Sequence, residues 1–228
     1  MYDNLFKNHF NETFQAEKKI TELMAHAHSR YCHWSLGTKV ELKVRTEESK
    51  PKQAIFILFM IELFQRIGKI RHLENENWNN TDYKVVKKDP FYDLFPTFKK
   101  FANKKRGEAD VLVAIGIVTG PGGLLGLANL DTVCQNPKRS FNINFYEIDN
   151  FFSTVWTVVH EIGHNLGMWH DFSTKPPHYE AGCNYQGWMS YTLINQQPQQ
   201  WSERSRNDFL AHYSRNRYQW CMPGKLLI

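Results

Sequence analysis

The sequence has no apolar run long enough to cross a bilayer. The most apolar stretch, AIFILFMIELF at positions 54–64, is short and contains Glu62. A spanning helix needs about twenty such residues, so this run reads as a buried strand. No secretory signal opens the chain, because Met1 leads directly into the polar YDNLFKNHFNETF; it reads as a mature or excised domain whose targeting segment lies upstream. The net charge is only +5 over 228 residues, and no concentrated basic stripe is present, which excludes a dedicated nucleic-acid binder. TGPGG (119–123) lacks a following Gly-Lys-[ST], which excludes a phosphate loop. Internal repeats and low-complexity linkers are absent. Cysteine is scarce: Cys32, Cys134, Cys183 and Cys221 are widely spaced and never form C-x-x-C. That count leaves two disulfides and four buried thiols equally open. Two N-x-[ST] sequons, at Asn11 and Asn79, permit a secreted origin.

The length suits one domain with a sizeable core. Apolar residues at helical spacing from Leu5 to Tyr31 predict one long amphipathic helix or two in sequence,. TKVELKV (38–44) alternates as a half-buried strand,. ENENWNNTD is a loop, and PTFKKFANKK opens a helix at Pro96,. DVLVAIGIV (110–118) is uniformly apolar, as in a parallel strand covered on both faces,. LLGLANLDTVC and SFNINFYE read as shorter strands. A helix from about Ser153 ends near Gly167, and SRND (205–208) looks like a capping box for a last helix with Phe209, Leu210 and Tyr213 inward,. Strands alternating with helices, followed by an irregular tail, predict an α/β body with a small C-terminal subdomain.

The chemistry concentrates in VVHEIGHNLGMWHD, residues 158–171. On a helix, His160 and His164 lie about 40° apart around the axis and about 6 Å along it, so both imidazoles can reach one ion. Glu161, about 100° from His160, would not coordinate that ion but can take a proton from water bound to it. A catalytic zinc needs three protein ligands and one open position. Gly167 can adopt the left-handed conformation that ends the helix, which lets His170 return to the same ion; an uninterrupted helix would put position 170 about 240° round from 164. An apolar stripe of Val155, Val158, Val159, Ile162 and Leu166 would suit a plain core helix too. With Gly167 and His170 both in register, accidental matches become rare. HAHSRYCH (26–33) shows no third-ligand spacing and reads as a helix end. The basic run from Lys99 to Arg106 reads as a solvated face.

H-E-x-x-H-x-x-G-x-x-H followed by Asp171 resembles the metzincins, and among them the adamalysin (reprolysin) proteases, the snake-venom metalloproteinases and ADAM or ADAMTS enzymes. GWMSY, with Met189, resembles their Met-turn; GLANLDTVC resembles their cleft-edge strand, and WSERSRNDFLAHY…QWC their last helix and closing cysteine. The likeness runs from about Asp110 to Cys221. It implies a mixed, mostly parallel twisted sheet with an antiparallel edge strand and packed helices, as one catalytic domain over 1–228. Residues 1–170 would form the α/β subdomain and 171–228 the C-terminal one. It further implies a secreted, monomeric zinc endopeptidase of extracellular proteins, with room for an upstream propeptide. His160, His164 and His170 would hold Zn2+, and Glu161 would be the general base. Met189, Asp171 and Gly167 would support the site. Peptide would add along Gly126, Leu127 and Ala128, with Trp188 and Tyr191 in the pocket for the residue after the cleaved bond. Cys134 would pair with Cys221. The family's partner position for Cys183 is Arg204 here, which leaves Cys183 either bonded to Cys32 or free, the Cys32–Cys183 bond being the preferred expectation. The family's calcium-site asparagine has no counterpart in CMPG, and no calcium is expected. A rival reading is a protease-like binding or toxin module whose activity has lapsed; lapsed members lose the glutamate or a histidine, and all four residues are present. Asp171 and the cleft-edge strand argue against an astacin-like or matrix-type metzincin.

Overall fold

A computed structural model describes residues 9–10, 13–40, 42, 45–46, 69–70, 99, 110–116, 125–136, 138–171, 187–190 and 200–216. The strand expected at 54–64, the helix expected from Pro96 apart from the helical Lys99, and Cys183, Tyr191 and Cys221 lie outside them.

The first helix, α1 (Thr13–Tyr31), buries Ala16, Ile20, Leu23, Ala27 and Tyr31 along one stripe, with Met24 at its margin. It is followed by a 3-10 turn at Trp34–Leu36. Of the strand expected at 38–44, residues 38–40 and 42 are described and are not in a strand; the described pairing in this region is β1 (Arg45–Thr46), parallel to β2 (Lys69–Ile70). The reason is local. The Val40 N–H donates to the Tyr31 carbonyl (3.1 Å) and the Leu42 N–H to His28 Nδ1 (3.0 Å), so these amides close the end of α1 instead of a ladder.

Three further strands form one mixed sheet in the order β3-β5-β4. β3 (Leu112–Gly116) runs parallel to β5 (Phe141–Phe145), and β4 (Gly126–Ala128) is the antiparallel outer strand, with Gly126 opposite Asn144. β5 is buried along its whole length, Asn142 and Asn144 included.

Helix α2 (Phe151–Asn165) lies between this sheet and α1. It starts two residues before the expected position because the Asn150 side chain accepts the Ser153 N–H (3.1 Å) and caps it,. Val155, Val158, Val159, Ile162 and Leu166 are all buried. Each contributes about 1.5–3 kcal/mol, which fixes the rotational setting of the helix and hence the direction of its polar side chains. Tyr31 completes the packing. It is fully buried, and its hydroxyl donates to the Val159 carbonyl at 2.7 Å. Burial, and then the Glu161 charge, push its pKa up, so it remains a donor. Tyr31→Phe should cost about 1 kcal/mol of stability in urea unfolding, the net worth of one such bond; an unchanged midpoint would show the bond contributes nothing.

The last helix, α3 (Glu203–Asn216), opens on Ser202 rather than on the expected box at Ser205. Ser202 Oγ accepts the Ser205 N–H at 2.9 Å, while the Ser205 hydroxyl is committed to Asp171. Phe209 and Tyr213 are buried and Leu210 is partly so.

Candidate metal centre

The C-terminal end of α2 determines the site. The Gly167 N–H donates to the His164 carbonyl (2.9 Å) and the Met168 N–H to that of Gly163 (3.0 Å), a reversal made possible by φ +88° at Gly167,. A Cβ there would also press on His212 at 3.0 Å. The loop after β4 caps the remaining carbonyls: the Asp131 N–H reaches His164 O (2.9 Å), and Thr132 and Val133 reach Asn165 O (3.0 and 3.1 Å),. Asp131 is in turn held by His212 and, at 3.1 Å, by Arg215 of α3.

This reversal brings His170 back beside His160 and His164. Its Nε2 lies 3.0 Å from His160 Nε2 and 3.1 Å from His164 Nε2. Nitrogens sharing one zinc at about 2.0–2.1 Å cannot be more than about 4.2 Å apart, and these pairs satisfy that limit. The tautomers agree. His160 Nδ1 faces the Trp188 carbonyl (3.1 Å) and His164 Nδ1 the Met168 carbonyl (2.8 Å). A carbonyl only accepts, so each Nδ1 carries the proton and each Nε2 presents a lone pair. A single proton on His170 could answer only one of them. A cation answers both, and His160, His164 and His170 are the group of three that could hold a metal among the described residues. Burial keeps the rings neutral: it takes His164 down to about 3, aided by His170, and His160 well below the usual imidazole range; His170 is lowered by burial and then by Arg204.

Glu161 follows His160 on the helix and is 6 % exposed. Its Oε2 is buried without a hydrogen-bond partner among the described residues, and burial pushes the carboxyl up to about 8. A neighbouring dication acts in the opposite direction. The donor set, the tautomers and this unpartnered oxygen all fit a zinc ion.

Beneath the centre, Met189 is fully buried. Its sulfur occupies the place where a side chain on Gly163 would begin, 2.4 Å from that Cβ position. The Asp171 carboxylate accepts from the Gly187 N–H (2.9 Å), the Ser205 hydroxyl (2.9 Å) and the Ser202 hydroxyl. Its N–H donates to the Met189 carbonyl (2.9 Å). Leu127 and Ala128 are half-buried on the outer strand, and Gly126 is buried. Trp188 is 1 % exposed, with the Arg30 guanidinium 5.1 Å from its ring centroid, and its carbonyl faces His160 Nδ1. The Cys32 thiol lies 3.4 Å from His28 Nε2 and 3.9 Å from the Val40 carbonyl; the expected Cys32–Cys183 bond is not made.

Sequence reasoning missed an asparagine ladder that ties the sheet to the metal helix. Asn144 Nδ2 donates to Asn142 Oδ1 (2.7 Å), Asn142 Nδ2 to Asn165 Oδ1 (2.7 Å), and Asn165 Nδ2 to the Asn129 carbonyl (2.8 Å). It also missed Gly163 as the seat of Met189.

The sequence pattern of the reprolysin (M12B) family of zinc metalloproteases matches residues 69–225. The chain belongs to this family. The matched residues include His160, His164 and His170, the group that could hold a metal. Among solved structures, a chain from a chaperone–substrate complex superposes on this reprolysin with a TM-score of 0.52 at 14 % identity, covering 94 % of this chain and 32 % of that one. That likeness concerns the fold alone.

Proposed function

We propose that this reprolysin is a zinc-dependent endopeptidase acting on extracellular proteins. The observation that carries the proposal is the convergence of three Nε2 atoms beside a buried carboxyl with an unpartnered oxygen. Zinc, when bound, supplies Lewis-acid chemistry, polarising a carbonyl and acidifying a water. The rest falls to the chain. His160, His164 and His170 hold the ion. Glu161 takes the proton lost as the new C–O bond forms and returns it to the amine nitrogen as the C–N bond breaks. Substrate adds as an extended strand along Leu127 and Ala128, a role supported by their place on the outer strand. In this reading residues 1–170, with the helix that carries His160 and His164, are the α/β subdomain, and 171–228, with Met189 and the last helix, are the C-terminal one.

A secreted, monomeric protein fits the family, and no described helix is long and apolar enough to cross a membrane. The Cys134–Cys221 pairing belongs to the same proposal; it is supported by the disulfide-bonded state of Cys134, whose partner lies outside the described residues. The zinc-loaded protein should cleave a random peptide library, preferring an apolar residue after the scissile bond. A chelator should stop cleavage and added zinc restore it. If the zinc-loaded chain cleaves nothing, a protease-like binding module is the better reading.

A further inference from the structure

Gly126 opens β4 and is buried opposite Asn144. A Cβ on it would lie 2.5 Å from both Cγ and Oε1 of Glu161 and 2.8 Å from Cδ, closer than non-bonded atoms can approach. The Glu161 carboxyl therefore lies directly against the strand backbone. Hydrogen bonding does not hold its outer atom, since Oε2 has no partner among the described residues; contact does. Neither wall can easily retreat. The Leu125 carbonyl accepts the Phe145 N–H at 2.8 Å, which pins the strand just before Gly126. The helix is pinned by Tyr31 at Val159 and by the loop amides at His164 and Asn165.

We infer that Gly126 is a positioning residue for Glu161, its missing side chain being the space in which the base carboxyl is seated. The inference rests on the endopeptidase reading, in which Glu161 is the base. It places the seat of the base on the strand proposed to receive the peptide. Peptide docking and the setting of the base therefore share one piece of backbone.

The test uses Gly126→Ala, Glu161→Ala and the double variant, each as the full zinc-loaded chain. Gly126→Ala should lower kcat about a hundredfold, as expected for a misplaced reacting group, with KM little changed. It should lower the melting temperature by several degrees in the parent chain and leave it unchanged in the Glu161→Ala background, where the clashing side chain is gone. A raised KM with kcat intact would assign Gly126 to peptide docking and overturn the inference. An equal loss of melting temperature in both backgrounds would overturn it as well. If Gly126→Ala does not fold, recovery of folded protein in the double variant supports the seat, and failure there too refutes it. The melting cycle needs no substrate, so a chain without peptidase activity would remove the endopeptidase reading while the pairing of residues 126 and 161 was still being measured.

Discussion

Glu161→Gln is expected to retain a full equivalent of zinc and to lose about 10²–10⁴-fold in kcat, the usual worth of a positioned acid–base group. The amide matches the carboxylate in shape, so it fits the same space against Gly126 and leaves the fold intact. What it cannot do is accept a proton. KM should change little, because the carboxylate is proposed to act on the transition state rather than to hold the peptide. His160→Ala should give the complementary result. It removes one of three converging nitrogens and leaves the Trp188 carbonyl without its imidazole donor; metal content, read by elemental analysis, should fall with activity. Full activity in Glu161→Gln would remove the proposed role of Glu161, and full zinc in His160→Ala would remove the proposed ligand set.

The parts of this site that are legible in the sequence are those governed by local geometry. Four-residue spacing puts His160 and His164 on one helix face whatever surrounds them. A glycine after the last apolar position marks the helix stop, and Gly167 has the left-handed φ that such a stop requires. Strand positions at 112–116, 126–128 and 141–145 likewise follow from composition. Other features depend on which segments meet. FNINF alternates in a way that would put Asn142 and Asn144 on a solvated face; α2 covers that face instead, and Asn165 supplies the missing partner. The role of Gly126 depends on Glu161, 35 positions later, and that of Gly163 on Met189. No periodicity reports such contacts. The cap of α3 shows two serines in different roles: both hydroxyls donate to Asp171, and it is Ser202 Oγ that also accepts the Ser205 N–H and so caps the helix.

Asp171 is where the largest loss of stability is expected. Its carboxylate is 1 % exposed as part of a buried residue and takes three donors from two separate segments, Gly187 before the Met189 turn and Ser202 and Ser205 at the start of α3. Truncation to alanine leaves the Gly187 N–H and the Ser205 hydroxyl buried and unanswered, the Ser202 hydroxyl keeping Ser205 Oγ at 3.0 Å; at about 1–3 kcal/mol each, about 3–5 kcal/mol in all is the expected cost. For a chain of this size that is a fall in melting temperature of about 10 °C or more. Asp171→Asn should cost less, because its carbonyl can still accept the Gly187 N–H while the serine hydroxyls rotate to accept from the amide. The loss should reach the metal centre through one named link. The Trp188 carbonyl that orients His160 sits in the turn that Asp171 holds at Gly187 and Met189, and loss of such outer partners typically lowers metal affinity about 10–100-fold. Thermal unfolding and a chelator competition on the same two variants measure both effects. An alanine variant that melts with the parent chain and keeps its zinc affinity would show that the Met189 turn and α3 hold their places without this carboxylate.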